Sequence, residues 1–358
     1  LSTASLTPRL VVTRPLLGVA SRIIAGVDVY DSDYESGRSA GQGLAPIHVY
    51  DGRDKSYAAY YQQTISVLPQ TDISVGGRIQ RNRISARDTV DVTAPGACFG
   101  NFCEPEGLPF DDSETNTAWH LGIEQVVVPG VTLLGRTAKS FRLANIDERI
   151  GAGFPTAFDL RTQNSRDWEA GVRLAYKTFS IQSTYYDMQL TDELFFRADI
   201  FTNINLDPTR RRGVETIASW KVSNDLVLRG NLTFTDAEFR DGPFAGNDVP
   251  LVSPWTGSIG VSWNIVDRRL VFDGSINYVG DRRMDNDFTN FQPEIPWHTT
   301  VDLRLGGAWD RFHWSAAVQN LFDSDYFDYA VASAFTPGRY NAYPQPGRTF
   351  MIKAGTTW

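Results

Sequence analysis

The closing stretch Arg348–Trp358, RTFMIKAGTTW, decides how the rest of the chain is read. Taken in twos, Phe350, Ile352, Ala354, Thr356 and Trp358 form one face, and Lys353 and Thr357 lie on the other. That is a strand with one apolar and one polar face, ending on an aromatic. Soluble domains usually end in frayed, polar termini. A membrane β-barrel instead closes its last strand into the wall, with aromatics at the membrane interface. The same alternation should then recur along the whole chain.

It does recur, and helical spacing is scarce. About fifteen strands are predicted, longer than the five or six residues usual in soluble sheets. The clearest are Leu226–Phe239, Leu270–Gly280, Thr299–Trp309 and Phe312–Phe322. In the second, Leu270, Phe272, Ile276 and Tyr278 oppose Asp273, Ser275 and Asn277. In the third, Val301, Leu303 and Leu305 oppose Asp302 and Arg304. In the fourth, Phe312, Trp314, Ala316 and Val318 oppose His313, Ser315, Ala317 and Gln319. Tyr57–Leu68 and Ile73–Ile84 also alternate, whereas Phe179–Leu194 keeps its register only as far as Tyr185.

The connections alternate in length. Short turns fall near Arg14–Leu17, Pro69–Thr71, Pro129–Gly130, Lys177–Thr178, Ser223–Asp225, Val266–Arg269 and Asp310–Arg311. Between them lie longer segments near Asp33–Arg53, Asp91–Glu114, Ile146–Arg166, Arg197–Pro208, Arg240–Pro250, Arg282–Pro296 and Asp323–Gly347. An antiparallel meander places all the short turns at one end and all the long loops at the other. This is the asymmetry of outer-membrane barrels. The fold expected is therefore an all-β, transmembrane, antiparallel up-and-down β-barrel forming a single domain over residues 1–358.

Aromatic residues give an independent check. Tyr176, Trp220, Trp263, Trp309, Phe312, Trp314 and Trp358 lie close to a short turn or to the last residue, each on the apolar face of its strand. They are expected to form one girdle at one membrane interface. The opposite face carries Arg78, Gln80, Glu169, Arg173, Glu215, Lys221, Arg229, Asn231, Asp273, Asn277, Asp302 and Arg304. Such charges would be costly in a solid core, but a water-filled or plugged interior accepts them.

Composition excludes several classes. The 358 residues carry a net charge of −8, which argues against nucleic acid as the main partner. No run of about 18 apolar residues forms a transmembrane helix, although barrel strands would not produce one. Cys98 and Cys103, in ACFGNFCEPEG, are the only cysteines. A metal half-site is possible at this spacing, but no second pair or nearby His completes it, so a loop disulfide is favoured. His48, His120, His298 and His313 are dispersed, and no metal or cofactor site is expected. No serine–histidine or carboxylate constellation singles out a nucleophile and base, so no enzymatic activity is expected.

Several segments resemble a known family. SFRLAN at Ser140–Asn145, DWEAGVRL at Asp167–Leu174, DPTRRRGVE at Asp207–Glu215, FTDAEF at Phe234–Phe239 and VPLVSPWTGSIGVSW at Val249–Trp263 occur in order. They are followed by VQNLFDSDYF at Val318–Phe327 and YPQPGRTF at Tyr343–Phe350, before the aromatic last strand. This succession resembles the C-terminal barrel of TonB-dependent outer-membrane receptors, from about Asn116 onward. The resemblance implies a twenty-two-stranded barrel with an N-terminal plug, of which this chain would supply the C-terminal part. The remaining strands and the plug would be expected elsewhere, together with coupling to TonB–ExbB–ExbD through that plug.

The function implied is active uptake of a scarce nutrient across the outer membrane of a Gram-negative bacterium. The first expectation is a ferric siderophore, with cobalamin, haem or another metal chelate by the same fold, or a passive porin-like channel, as alternatives. Phe288, Phe291, Tyr326, Tyr329, Arg339, Tyr340 and Tyr343 lie in long loops where aromatics and arginine interleave, and are the candidate ligand contacts. The loop Asp91–Glu114 has six carboxylates and no Lys or Arg. It would repel an anionic chelate, and reads as a solvated loop, a cation trap or a contact with divalent-bridged lipopolysaccharide.

Overall fold

The computed structural model describes every residue except Leu108, 151–159, Asp199, Phe201, 267–268, 334–335 and Trp358; for Ile150 it describes the backbone alone. Trp358, one of the expected girdle aromatics, therefore lies outside the described residues. The strands are β1 (Ser2–Leu6), β2 (Arg9–Thr13), β3 (Ser21–Arg38), β4 (His48–Leu68), β5 (Thr71–Val90), β6 (Cys98–Phe99), β7 (Phe102–Cys103), β8 (Phe110–Val128), β9 (Val131–Arg142), β10 (Gln163–Tyr176) and β11 (Phe179–Thr191). They continue as β12 (Leu194–Arg197), β13 (Thr202–Asn205), β14 (Thr209–Lys221), β15 (Leu226–Phe239), β16 (Trp255–Val266), β17 (Leu270–Val279), β18 (His298–Trp309), β19 (Phe312–Gln319), β20 (Phe327–Ala332), β21 (Tyr340–Pro344) and β22 (Thr349–Thr356). One five-residue helix, α1, spans Ile146–Ile150.

Among the described residues, sixteen strands belong to one sheet, in the hydrogen-bonded order β1-β3-β4-β5-β8-β9-β10-β11-β14-β15-β16-β17-β18-β19-β22, with β2 also pairing β3. β1 pairs Ser2 with Asp33 through Leu6 with Val29, and β2 pairs Arg9 with Gly26 through Thr13 with Arg22. They are two halves of one strand, broken at Thr7 and Pro8, because Pro8 has no N–H to give to the ladder. The sheet thus amounts to fifteen strand positions, in line with the sequence reading. Three two-stranded hairpins, β6-β7, β12-β13 and β20-β21, lie in the long connections and were not foreseen.

The chain forms two compact units. The first comprises residues 1–123, 136–166 and 190–207. Its hairpins are long: β3, β4 and β5 have 18, 21 and 20 residues, whereas a bilayer needs about 9–11. Val27, Tyr57, Tyr61, Val75 and Ile79 are exposed on one face. Toward the long-loop end the pattern inverts. That same face then carries Asp31, Lys55, Arg81 and Arg83, while Ile84 and Ala86 on the other face are buried with Tyr50 and Ile146. Helix α1 brings Ile146 there. Its start is fixed reciprocally: Glu148 N–H donates to Asn145 Oδ1 at 2.8 Å, and Asn145 N–H donates to Glu148 Oε2 at 3.0 Å.

The second unit comprises residues 124–135, 167–189 and 208–358. Its registers put Trp220, Leu228, Val261, Gly274, Leu303 and Val318 on one face: Trp220 pairs with Leu228, Leu228 with Val261, Val261 with Gly274, Gly274 with Leu303 and Leu303 with Val318. Trp263, Trp309, Phe312 and Trp314 share that face, with Phe350 and Ile352 of β22. The other face is polar and satisfied across strands. Ser262 donates to Asp273 at 2.9 Å, Arg304 reaches Asp273 at 3.2 Å, and Asn231 donates to Ser258 at 2.6 Å. Turns are tight where the sequence allows it: Asp310 adopts φ 53° between the paired Trp309 and Phe312.

The inversion recurs here. On β15, Leu228, Leu232 and Phe234 give way to Asp236 and Glu238, while Ala237 and Phe239 on the opposite face are buried. It also explains Phe179–Leu194. Strand β11 continues without a break to Thr191, and beyond Tyr185 Asp187 follows on the formerly apolar face. The alternation is kept and its polarity is reversed.

Candidate functional site

The expected ligand contacts fall in two connections of the second unit, residues 280–297 and 320–348, and the fold fastens the two together. Asp285 N–H donates to Ala330 O, and Ala332 N–H to Asp285 O, each at 2.9 Å. Gln292 donates to the carbonyls of Ser333 (2.9 Å) and Thr336 (3.2 Å), and accepts from Gly338 N–H at 2.6 Å. Arg282, almost fully buried, reaches the Asp328 carbonyl at 2.7 Å and its carboxylate at 3.2 Å. Beneath these bonds Met284, Ile295, Ala330 and Ala332 form a small apolar core. Asn286 and Asn290, both at positive φ, provide the bends.

On this platform the seven residues divide. Phe288 is 7% exposed and packs between Phe239 and Phe244, with ring centroids 5.9 and 5.5 Å away, so it is loop core. Tyr326 stacks on His298 at 4.3 Å. Tyr329 donates its hydroxyl to Asp285, and its ring lies 5.3 Å from that of Tyr343, its register partner on the β20-β21 hairpin. Tyr340 and Tyr343 are exposed on β21, Arg339 is exposed immediately before it, and Phe291 is exposed on the other connection. Flat aromatic faces and a guanidinium are thus displayed on a base that holds two loops in one arrangement.

Buried polar groups lie below. Burial holds the Asp285 carboxyl above its ordinary range. Burial, and then the bond to Asp285, push the Tyr329 hydroxyl up. Asp285 Oδ1 and His298 Nδ1 have no hydrogen-bond partner among the described residues. Asp285, Gln292, Arg282 and Asp328 escaped the sequence reading. Their partners lie some forty residues away, and only the Asn-rich bends at 286 and 290 mark the segment locally.

The first unit holds a separate cluster in its long loops. His48, 4% exposed, places Nδ1 2.9 Å from Asp88 Oδ2 and Nε2 2.7 Å from Glu104 Oε2. Its ring is parallel to that of Tyr50 at 5.7 Å, and Gly107 N–H donates to Asp88 at 3.0 Å. Cys98 and Cys103 are joined by a disulfide, and Phe99 and Phe102 within it are exposed. His48 therefore ties the acidic loop, through Glu104, to the ends of β4 and β5. Among the described residues no group of three or more His, Cys, Asp or Glu is arranged to hold a metal ion.

Comparisons with known proteins agree with this geometry. The family model described as TonB dependent receptor-like, beta-barrel, matches residues 2–321. The iron-regulated outer membrane virulence protein of Vibrio cholerae is 28% identical over 138 residues, covering 38% of this chain and 21% of that protein. The ferric yersiniabactin uptake receptor FyuA from Yersinia pestis superposes with a TM-score of 0.76 at 19% identity, over 98% of this chain and 53% of that one. The siderophore receptor PiuA from Acinetobacter baumannii gives 0.76 at 13% identity, over 98% and 55%. The chain spans about half the length of these solved receptors.

Proposed function

The chain belongs to the TonB-dependent receptor β-barrel family, and from that premise we propose that it forms part of the wall and outer loops of a receptor that imports a scarce nutrient, a ferric siderophore in first place. It resides in the outer membrane of a Gram-negative bacterium. The apolar face meets lipid, with Tyr176, Trp220, Trp263, Trp309, Phe312 and Trp314 at the interface on the short-turn side. The polar face lines the interior, against a plug through which TonB supplies energy.

The observation that carries this reading is the fastened two-loop platform. Phe291, Arg339, Tyr340 and Tyr343 are exposed on it, while Tyr329 and Phe288 are tied into its base. Aromatic faces and one cation suit a flat chelate with anionic donor groups. Iron-55 chelate uptake by cells carrying the full-length receptor, with and without TonB, tests it. Uptake of at least one siderophore that is lost without TonB is expected. Uptake indifferent to TonB would make the protein a passive channel. Transport of haem or cobalamin but no iron chelate would change the cargo and leave the wall assignment standing.

A further inference from the structure

Helix α1 lies on the polar face of the first unit's sheet, away from the strand it follows. Tyr34, Gly52 and Ala86 are cross-strand partners in one row of that face, and Asp54 and Ile84 are partners in the next. Ile146 is seated on this patch, buried with Tyr50, Ile84 and Ala86. Gly52 makes the seat: a Cβ there would meet Ile146 Cδ1 at 2.9 Å and Cγ2 at 3.1 Å. In the order β4-β5-β8-β9, Gly52 is three strand spacings from β9, whose last residue, Arg142, precedes Ile146 by four. At about 4.8 Å per strand that is roughly 14 Å, so the connection turns back across the polar side of β8 and β5.

Contacts from several elements hold α1 there. Tyr34 of β3 donates to Asp147 at 2.9 Å, and Arg142 of β9 pairs with Glu148. Arg149, almost fully buried, lies over the Phe110 ring of β8 at 5.0 Å and 3.9 Å from Glu114. From the other side Asn203, on the β12-β13 hairpin, donates to the Glu148 carbonyl at 2.8 Å. Asn205 of the same hairpin exchanges bonds of 2.8 and 2.9 Å with the Arg161 backbone. That hairpin lies in the connection after β11, six strand spacings from β3, or about 29 Å along the sheet. The five-residue helix is only about 7.5 Å long, yet it touches both. It therefore takes a short cut over the polar face instead of following the wall.

We propose that α1, seated by Ile146 on Gly52 and braced by Asn203, is a fixed strut that limits the size of solute entering past the first unit. Asp147, Glu148 and Arg149 are each engaged in the contacts above, so the strut selects by volume rather than by charge. Ile146 and Gly52 are then specificity-determining positions that need not touch the solute. This rests on the polar face lining the interior of an uptake receptor.

The test uses the full-length receptor on intact cells. Cys98 and Cys103 are joined to one another, so a cysteine placed at Gln80, on the polar face below the seat, supplies the reactive thiol. It is treated with a small hydrophilic maleimide and with the same maleimide on a long polyethylene glycol. The long reagent should label Gln80→Cys at least tenfold more slowly than the small one. Adding Gly52→Val or Ile146→Gln should bring the two rates together, with faster hydrogen exchange over residues 145–149 and normal heat-modifiable mobility. Equal rates while α1 is in place overturn the proposal, as does a gap that persists once exchange shows the helix released. Exchange unchanged in both variants would overturn the seat itself. Labelling by neither reagent with the helix released also overturns the proposal, since another element would then close the path. Ile79→Cys, on the apolar face, should resist both reagents; if it reacts while Gln80→Cys does not, the assignment of faces falls instead.

Discussion

Trp255 and Trp263 lie on one face of β16, eight residues apart, one near each end of its apolar stretch. At about 3.3 Å per residue that separation is roughly 26 Å along the strand, or about 18–21 Å of membrane depth at a tilt of about 35–45°, most of the height of the apolar band of an outer-membrane barrel. Trp168 and Tyr176 on β10 repeat the interval, and Phe234, packed on Trp255 at 4.8 Å, marks the same level. A second row of aromatics, toward the long loops, thus accompanies the one expected near the short turns.

Position within this band sets the cost of a charge. Leu303→Arg places a guanidinium at mid-depth on the apolar face, at about 2–4 kcal/mol. Arg304→Leu removes only an exposed ion pair with Asp273, worth less than about 1 kcal/mol. The first variant should sharply reduce heat-modifiable, assembled receptor in outer-membrane fractions, and the second should leave it near normal. Equal yields would refute the assignment of faces.

His48→Ala removes the one group between two carboxylates. Buried Asp88 then keeps the Gly107 N–H but loses its bond to the imidazole, and leaving a buried acceptor short of a hydrogen bond costs about 1–3 kcal/mol. Hydrogen exchange over residues 94–107 should accelerate by about tenfold or more while the strands of the second unit stay protected. Unaltered exchange would mean the loop is held by its other contacts.

The two phenylalanines of the 280–297 connection should behave differently. Phe288→Ala empties an enclosed aromatic cluster and should destabilise the loops by about 3–5 kcal/mol, read as faster hydrogen exchange. Phe291→Ala, Tyr343→Ala and Arg339→Ala should leave exchange unchanged and weaken chelate binding by about tenfold each, as truncation of anchor residues does. Loss of binding in the first variant alone would remove the exposed face from the site.

Asp285 gives the loops a pH dependence. Burial raises its folded-state pKa above the ordinary value of 3.8, so the folded form holds the proton more tightly than the unfolded chain. The resulting stability is fully present below 3.8 and is lost as pH rises through the raised value. Asp285→Asn can still accept the Tyr329 hydroxyl, and should make exchange in residues 280–297, corrected for intrinsic rates, independent of pH over this window. Persistence of the acid-side gain in the variant would assign it to another group.

The wall was legible in the sequence because alternation of period two is local: Leu303 and Arg304 declare their faces by neighbouring one another. The reading faltered where the environment changes along a strand. Past Tyr185, as past Phe234 and Ile79, the outer face meets water and the inner face meets packed loops, so polar and apolar residues exchange places while the strand continues. The site was half legible. Aromatics in long loops could be picked out as candidates, but whether Phe288 turns inward and Phe291 outward depends on Phe239 and Phe244, some forty to fifty residues earlier. The bonds of Gln292 to Ser333 and Gly338, and of His48 to Asp88 and Glu104, likewise join segments that no local periodicity connects.

The fastening of residues 280–297 to the β20-β21 hairpin also bears on the thermodynamics of capture. Holding a rotamer-rich side chain still at an interface costs about 0.5–1.5 kcal/mol, and a loop that orders only on contact bears the loss of its backbone freedom as well. Here Asp285, Gln292 and Tyr329 have already fixed the backbones beneath Phe291, Tyr340 and Tyr343 before any ligand arrives. Most of the configurational entropy is surrendered at folding rather than at encounter, which under the proposed uptake role would favour tight binding of a dilute chelate.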